Sequence, residues 1–222
     1  MSKSDYYQHQ EKISGIANAI SSYARQRMFK SFMSALLPDE QSSIIDVGVT
    51  CDRRADSNFF EKVYAHPEKI TAVGLEDASF LEQDFPGLKY VKADALNLPF
   101  ADKQFDIGVS WAVIEHVGSR ERQARFLNEL LRVSKRVFIT TPNRWYPIEF
   151  HTVMPFLHWL PPDIFRSILK TLRMDFYASE DTLNLLDEKA LLTMLPSGAK
   201  VRKLHFRLLG PISNLILCIE LP

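Results

Sequence analysis

Three acidic side chains follow short apolar runs, at the points where the chain would leave a buried strand. Asp46 and Gly48 end one such run, Glu76 follows a second and Asp94 follows a third. Ligands of open α/β sheets bind beyond the carboxyl ends of the strands, so we expect these carboxylates to converge on one crevice. Glu76 could accept hydrogen bonds from both hydroxyls of a ribose, and Asp94 could accept one from an adenine amino group.

The same residues argue against a dinucleotide ligand. The sequence lacks a G-x-G-x-x-G turn followed by an acidic residue about 20 positions later. Three converging carboxylates would also repel a pyrophosphate. A nucleoside with a positive centre and no phosphate is the better match for this crevice.

The predicted elements that position these residues alternate along the chain. Helical spacing of apolar residues from about Tyr6 to Leu37 predicts an N-terminal helical segment within residues 1–38. Strands and helices then alternate, which predicts a mostly parallel sheet with helices on both faces. The first five strands are "SSIIDVG", "ITAVGL", "LKYVKA", "FDIGVSW" and "RVFITT", with helices near 57–65, 78–84 and 121–133.

Two segments depart from this alternation. Residues 142–186 are rich in Pro, Phe, Trp, Leu and Ile, which is typical of a packed helical cap inserted after the fifth strand and not of a flexible linker. After a helix near 187–195, the runs "AKVRKLHFRLLG" and "SNLILCIELP" are joined only by Gly210 and Pro211. Because this connection leaves no room for a crossover helix, the two strands should pair antiparallel.

Composition sets the remaining bounds. The 222 residues carry 27 Lys and Arg against 27 Asp and Glu, so we expect one domain over residues 1–222 without long-range attraction to nucleic acid. Cys51 and Cys218 fit no metal-binding spacing, and no metal site is expected. The sequence shows no secretory leader and no apolar run near the roughly 20 residues that span a bilayer. We therefore expect a cytoplasmic protein, with membrane contact only at its periphery.

The central part of the sequence resembles a known family. The run "VKADALNLPFADKQFDIGVSWAVIEHV", followed by "FLNELLRVSKRVFITTPN", is similar to the class I S-adenosylmethionine-dependent methyltransferases, in their small-molecule, type 11-like branch, and the likeness covers about residues 40–143. It implies a Rossmann-like sheet in the order 3-2-1-4-5-7-6 with strand 7 antiparallel, and S-adenosylmethionine as the cofactor. The implied contacts are Glu76 with the ribose, Asp94 and the Ala95 backbone with the adenine, the turn from Asp46 to Gly48 with the methionine part, and the backbone near Ser110 and Trp111 with the methionine amino group.

The first loop departs from the family pattern. In "DVGVTCDRRAD", Thr50 and Asp52 occupy the later glycine positions, where glycine permits positive φ and close backbone approach. The Thr50 hydroxyl, or the donor fork of Arg53 or Arg54, could offset this loss by binding the methionine carboxylate. Alternatively, the two arginines are solvated beside Asp52 and Asp56. We favour a functional loop, because the three acidic positions at the strand ends all match the family.

His116 and His151 are the candidate catalytic residues. His116 lies just past the fourth strand and His151 lies in the cap, and either could serve as a base if the acceptor must lose a proton. Alternatively, His116 starts a helix beside Glu115, and His151 and His158 are polar edges of a packed cap. The aromatic residues of the cap either line an acceptor pocket or pack onto the sheet, and they favour an uncharged or partly apolar acceptor.

Methyl transfer to a small-molecule acceptor is therefore the main hypothesis, with a hydroxyl or amine as the acceptor and a sugar- or lipid-linked substrate included. One alternative is a catalytically weak or inactive binding or scaffold protein, which only the glycine-poor loop supports. Another is a nucleic-acid methyltransferase. Neutral net charge and the lack of an Asn-Pro-Pro-aromatic base-flipping motif argue against that second alternative.

Overall fold

The fold is taken from a computed structural model, which describes residues 15–54 and 57–221. The predicted N-terminal helix is present as α1 (Gly15–Leu36), and its predicted start at residues 6–14 lies outside the described residues. The other elements are β1 (Ile44–Val47), α2 (Phe59–Val63), β2 (Ile70–Gly74), α3 (Phe80–Asp84), β3 (Lys89–Lys92), β4 (Phe105–Trp111), α4 (Arg120–Val133), β5 (Ser134–Pro142), α5 (Pro162–Thr171), α6 (Glu188–Thr193), β6 (Lys200–Arg207) and β7 (Ile212–Glu220).

The seven strands form one sheet in the order β3-β2-β1-β4-β5-β7-β6. The pairs β1–β2, β2–β3, β1–β4 and β4–β5 are parallel. Strand β7 runs antiparallel to both β5 and β6. The predicted Rossmann-like sheet, its strand order and its antiparallel last strand are therefore confirmed.

Each face of the sheet carries its own layer of helices. Val137 and Ile139 of β5 belong to the apolar layer that contains α4, whereas Phe138 between them belongs to the layer that contains α1. Phe32 of α1 meets Phe138 with ring centroids 5.4 Å apart. Because both faces are covered, the central strands carry buried apolar residues on both faces and do not alternate strictly with polar residues.

Helix α1 spans 22 residues and lies across one face of the sheet, with Met28, Phe32 and Leu36 buried. The end of α1 is tied to the sheet, because Nη1 of Arg136 donates a hydrogen bond to the Leu36 carbonyl at 2.7 Å. In the described part of the chain, none of the helices combines the length and the apolar character that crossing a membrane requires.

Helix α2 is shorter than predicted. Asn58 adopts the left-handed conformation, with φ 49° and ψ 50°, and Tyr64 is extended. Neither conformation continues a right-handed helix. The predicted helix near 57–65 is therefore limited to Phe59–Val63.

Residues 142–186 form a helical cap and add no strand to the sheet. The cap contains α5 and two single-turn 3-10 helices, Leu157–Trp159 and Asp175–Ala178. A parallel bridge between Asn143 and Leu186 joins its two ends. The cap has an apolar core of its own, made of Phe165, Leu169, Tyr177, Ala178, Leu183 and Leu185. The predicted cap insertion after the fifth strand is confirmed.

Asp106 ties the start of β4 to two neighbouring segments. Its carboxylate accepts hydrogen bonds from the Ser43 N–H at 2.9 Å, from the Ser43 hydroxyl at 2.8 Å and from Nζ of Lys135 at 2.8 Å. The bond from Lys135, together with those from Ser43, lowers the pKa of Asp106 to about 2. We expect Asp106→Asn to lower the free energy of unfolding near neutral pH by about 1–2 kcal/mol, because hydrogen bonds to a charged group are lost.

The pH dependence of this difference is a second expectation. A folded-state pKa below the unfolded-state value means that the stability from ionised Asp106 is present above about pH 4 and is lost as the pH falls towards 2. Urea unfolding of the parent and the variant should show the gap closing over that interval. Asp163→Asn, at a side chain that is 99% exposed, is the control. A gap that is the same at both ends of the interval would contradict this role of Asp106.

Candidate active site

The loop after β1 passes close to the turn that follows β4. Gly48 has φ 119°, and its N–H donates a hydrogen bond to the Val73 carbonyl at 2.8 Å. A Cβ atom at this position would lie 2.3 Å from Cγ2 of Val113. Only glycine satisfies both the backbone conformation and this contact.

Asn58 closes the same loop from its far end. Its Nδ2 donates to the Thr50 carbonyl at 2.9 Å, and its Oδ1 accepts from the Thr50 N–H at 2.9 Å. Oγ1 of Thr50 also accepts a hydrogen bond from the Asp52 N–H at 3.2 Å. The side-chain amide therefore fixes the backbone at one of the positions where the family pattern has glycine. Sequence reasoning missed Asn58, because its distance of eight residues from Thr50 belongs to no recognised motif.

The two arginines of the loop have partners within the protein. Nε of Arg54 donates to Oδ2 of Asp52 at 2.5 Å. The guanidinium of Arg53 lies 4.1 Å from the ring centroid of Phe80, and its Nη1 is 3.9 Å from Asp84. These contacts resemble the surface pairing that was the alternative to a ligand contact. Binding of a carboxylate by Thr50 or Arg53 stays a prediction.

Glu76 and Asp94 lie at the same edge of the sheet as the loop, because β1, β2 and β3 are parallel. Oε2 of Glu76 accepts a hydrogen bond from Sγ of Cys51 at 2.9 Å. This bond raises the pKa of the Cys51 thiol. Oδ1 of Asp94 accepts from the Leu96 N–H at 2.9 Å. Glu76 is half-buried and Asp94 is exposed, so a ligand in the crevice can reach both carboxylates.

The other predicted cofactor residues are held in place by contacts of their side chains. The buried Ser110 donates its hydroxyl to the Val47 carbonyl at 3.0 Å, which joins β4 to β1. The ring of Trp111 stacks on Phe60, with centroids 5.7 Å apart, and its buried Nε1 has no hydrogen-bond partner among the described residues. Ala95 is half-buried against the core. The cofactor contacts predicted for these residues involve backbone atoms. The side-chain packing described here does not use those atoms.

Asp46 forms a buried pair with Glu61 of α2, a residue that sequence reasoning missed. Asp46 is 5% exposed and Glu61 is 2% exposed. Burial, and then repulsion by Glu61, raises the pKa of Asp46 well above its usual range. Neither Glu61 oxygen has a hydrogen-bond partner in the described part of the chain. A cationic ligand group would complete this pair.

The two candidate catalytic histidines are in contact. His116 ends the 3-10 turn that follows β4, and His151 lies in the cap. Their Nε2 atoms are 3.0 Å apart. Nδ1 of His116 lies 2.7 Å from the Thr182 carbonyl oxygen, and Nδ1 of His151 lies 2.6 Å from Oε1 of Glu149. Sequence reasoning named both histidines and left their contact open, because the path of the cap was unknown.

Glu115 lies beside this pair and is fully buried. Its Oε2 accepts a hydrogen bond from Oγ1 of Thr141 at 2.9 Å. Its Oε1 is 4.0 Å from Nε2 of His116 and has no hydrogen-bond partner among the residues that the structure describes. The cluster of Glu115, His116, Glu149 and His151 therefore joins the end of β4 to the cap.

Burial and mutual charge set the protonation of the cluster. Burial raises the pKa of Glu115 to about 7, against the attraction of His151. Burial and the charge of His151 lower the pKa of His116 to about 3. Burial opposes ionisation of the other two groups, but their ion pair outweighs it: it raises the pKa of His151 and lowers that of Glu149 to about 2.

The remaining residues of the cap divide into a packed and an exposed set. His158 is 2% exposed and its Nε2 lies 2.8 Å from the Tyr146 carbonyl, as a polar edge of a packed cap would be. Tyr146 and Phe165 are also buried. An exposed set, which we call the cap apolar surface, consists of Trp145, Ile148, Val153, Phe156, Trp159 and Leu160. The cap therefore packs on itself and also presents apolar side chains outward.

Part of the sequence matches a protein family, and part of it matches a relative. Residues 57–137 match the family described as "Methyltransferase domain". A candidate methyltransferase of Encephalitozoon cuniculi (strain GB-M1) is 45% identical over 49 residues, which is 22% of this chain and 23% of that protein. The match thus spans less than a quarter of the relative's length.

Several solved structures share the fold. The N-methyltransferase NodS of Bradyrhizobium japonicum WM9, in complex with S-adenosylhomocysteine, has a TM-score of 0.57 at 11% identity and covers 89% of this chain and 87% of its own. Magnesium protoporphyrin IX methyltransferase of Synechocystis PCC 6803, with bound S-adenosylmethionine, has a TM-score of 0.59 at 12% identity over 100% and 92%. The PH0226 protein of Pyrococcus horikoshii OT3 has a TM-score of 0.59 at 12% identity over 89% and 91%. Identities this low show a common fold, and the resemblance drawn from the sequence is confirmed.

The Asn58 contact predicts a graded loss of stability. Asn58→Ala removes both hydrogen bonds to Thr50 and leaves a Cβ at φ 49°, so we expect the free energy of unfolding to fall by about 2–3 kcal/mol. Asn58→Gly also loses both hydrogen bonds, but glycine tolerates the left-handed conformation. Its free energy of unfolding should therefore fall by less. Urea unfolding of both variants checks this order. Equal stability of the Ala variant and the parent would show that the loop does not depend on Asn58.

Proposed function

We propose that this chain, which has the fold of the class I S-adenosylmethionine-dependent methyltransferases and a methyltransferase domain over residues 57–137, binds S-adenosylmethionine and methylates a small-molecule acceptor. One observation carries the proposal: acidic residues stand at the carboxyl ends of three adjacent parallel strands. These are Asp46 near the end of β1, Glu76 after β2 and Asp94 after β3. The two solved methyltransferases above that hold this cofactor or its product support it.

The proposed cofactor contacts follow the crevice from strand to strand. Glu76 accepts hydrogen bonds from the ribose hydroxyls, and Asp94 with the Ala95 backbone holds the adenine. We place the cationic end of the ligand beside the buried pair of Asp46 and Glu61, where an ammonium group would offset the repulsion between the two carboxyl groups. The backbone at Gly48, Ser110 and Trp111 lines the methionine part. Thr50 and Arg53 remain proposed contacts of the methionine carboxylate.

The reaction itself asks little chemistry of the protein. The acceptor oxygen or nitrogen forms a bond to the methyl carbon while the carbon–sulfur bond breaks, and that electron pair stays on sulfur to give S-adenosylhomocysteine. Because the sulfonium is already an activated leaving group, holding donor and acceptor in line at about 3 Å is the main requirement. A hydroxyl or amine acceptor also loses a proton.

We assign His116 and His151 to the acceptor. They lie where the turn after β4 meets the cap, and Val113 of the same turn lies against Gly48. The His116 side chain is 25% exposed, so an acceptor can contact it, whereas the His151 side chain is 9% exposed. These positions favour a hydroxyl or amine group as the acceptor over a carbon atom.

The cap apolar surface supports an acceptor that is partly apolar or linked to a lipid. Phe156 and Trp159 are in contact, with ring centroids 4.9 Å apart, and they are 54% and 40% exposed. Trp145 lies next to Trp159 and carries the guanidinium of Arg144 over its ring at 5.5 Å. Aromatic residues beside a cation are typical of a surface that rests on a membrane interface.

We expect Glu76→Ala and Asp94→Ala each to weaken the binding of S-adenosylhomocysteine by about 1–3 kcal/mol, or roughly 5- to 150-fold, because donors of the nucleoside lose a charged acceptor. Isothermal titration calorimetry measures this directly. Asp163→Ala, a carboxylate of the cap that is 99% exposed, should bind like the parent.

Two results would contradict the proposed cofactor site. Parental affinity in Glu76→Ala would place the nucleoside elsewhere. No heat when millimolar S-adenosylmethionine or S-adenosylhomocysteine is added to the parent would favour an inactive binding protein. If the cofactor binds, a screen of hydroxyl, amine and lipid-linked sugar acceptors with a labelled methyl donor identifies the acceptor class.

The cap apolar surface predicts peripheral membrane binding. We expect the full chain to co-sediment with phosphatidylcholine vesicles, and the double variant Phe156→Ala/Trp159→Ala to reduce the partition coefficient roughly tenfold or more, because two aromatic side chains no longer enter the interface. Leu209→Ala, at a side chain that is 90% exposed but lies outside the cap, is the matched control. Equal sedimentation of the double variant and the parent would restrict the proposal to acceptors free in solution.

A further inference from the structure

The two contacting histidines direct their Nε2 atoms at each other. Nδ1 of His151 is 2.6 Å from a carboxylate oxygen of Glu149, and Nδ1 of His116 is 2.7 Å from the Thr182 carbonyl oxygen. A carbonyl oxygen cannot donate, and an ionised carboxylate cannot either, so both Nδ1 atoms carry the hydrogen. If each ring carries only that hydrogen, the two Nε2 atoms, 3.0 Å apart, are both acceptors and need a cation between them, which is either a second proton on His151 or a metal ion.

A carboxylate oxygen, which could also bind a metal ion, lies near the two Nε2 atoms. Oε1 of Glu115 is 4.0 Å from Nε2 of His116, is fully buried and has no hydrogen-bond partner within the described residues. Its other oxygen is held by the Thr141 hydroxyl, which fixes the carboxylate plane. One ligand atom from each of Glu115, His116 and His151 lies within 4.8 Å of the other two.

We propose that Glu115, His116 and His151 bind a divalent transition-metal ion, of which zinc is the best match, where the turn after β4 meets the cap. Zinc–nitrogen bonds of 2.0–2.1 Å place two imidazole nitrogens roughly 3.3 Å apart in a tetrahedral site. The present separation of 3.0 Å would therefore have to open only slightly. Two imidazoles and one carboxylate with a fourth position left open are the ligand set of many catalytic metal sites.

The surrounding residues provide the second layer that such sites use. A metal-bound histidine usually donates its other N–H to a carboxylate or a carbonyl, which fixes its tautomer and orientation. Glu149 and the Thr182 carbonyl have this role here. Glu149 is itself held by the Thr152 N–H at 2.6 Å and by the His151 N–H. The sequence gave no sign of this site, because its two histidine ligands are 35 residues apart and lie in separate segments.

The site has a consequence for the acceptor, and this step rests on the proposed function. The His116 side chain is 25% exposed, so the fourth position can open towards the crevice. A hydroxyl bound there would have its pKa lowered by the ion, as bound water does. The acceptor proton would pass to water, the oxygen would form its bond to the methyl carbon, and the carbon–sulfur electron pair would stay on sulfur. His116 and His151 would then act as ligands and not as bases.

The test is zinc binding by the whole chain after treatment with a chelator. Calorimetric titration of zinc chloride should give about one ion per chain. Glu149→Gln, which keeps the volume but removes the charge behind His151, should weaken zinc binding by about 10- to 100-fold. His116→Ala and His151→Ala remove a ligand and should weaken it more. His66→Ala, at a histidine whose side chain is 34% exposed and lies 3.5 Å from Glu68, should bind zinc like the parent.

A second measurement needs no variant. Cobalt(II) added to the metal-free parent should give the visible absorption of a four-coordinate ion, and zinc should displace it. The inference is overturned if the parent binds no zinc and shows no such absorption. It is also overturned if the double variant His116→Ala/His151→Ala binds zinc with parental affinity.

Titration of S-adenosylhomocysteine into the metal-free parent separates this inference from the proposed function. Binding of the nucleoside without binding of zinc would overturn the metal site and leave the methyltransferase proposal standing. Binding of zinc without binding of the nucleoside would overturn the proposed cofactor site and leave the metal site standing. The same titration with His151→Ala also shows whether that variant keeps its fold, because His151 lies outside the proposed nucleoside contacts.

Discussion

The parallel pairing of β1 with β2 and β4 is the constraint on which the candidate site depends. Asp46 lies opposite Ala72 on one side and Val109 on the other. This register brings the chain out of β1, β2 and β4 at one edge, so the Gly48 turn, Glu76 and the His116 turn are neighbours. A slip by one residue would move each side chain to the other face and would separate the groups. The two apolar layers fix this register, because they cover both faces of the central strands.

The loop after β1 shows two ways to fix a backbone. Glycines permit conformations that other residues avoid, whereas side-chain hydrogen bonds hold one conformation in place. This chain keeps glycine only where a Cβ would collide, at Gly48, and it uses Asn58 and Asp52 for the rest. Helix α2 begins directly after Asn58 and carries Glu61, which acts on the buried Asp46.

Much of the fold can be read from the sequence, because short apolar runs mark each strand and the connection lengths decide parallel or antiparallel pairing. The acidic residues at the strand ends follow from the same argument. The partners of the buried polar groups could not be read. Glu61 occupies a core-facing position where helical patterning expects an apolar residue. The contact of His116 with His151 depends on the path of the cap, which long-range packing sets. Asn58 delays the start of α2 through a left-handed conformation that its residue type permits without requiring it.

The polar cluster at the junction of the cap is best explained by a site and not by packing. Taking an ionised group out of water costs several kcal/mol, and Glu115, Glu149 and His151 are all largely buried. The cap does not need them for cohesion, because it has its own apolar core around Leu169 and Tyr177. Apolar residues of similar volume would serve packing equally well or better. A chain that keeps these groups here accepts lower stability at one place, and that place is where the cap meets the carboxyl end of β4, at the proposed acceptor site.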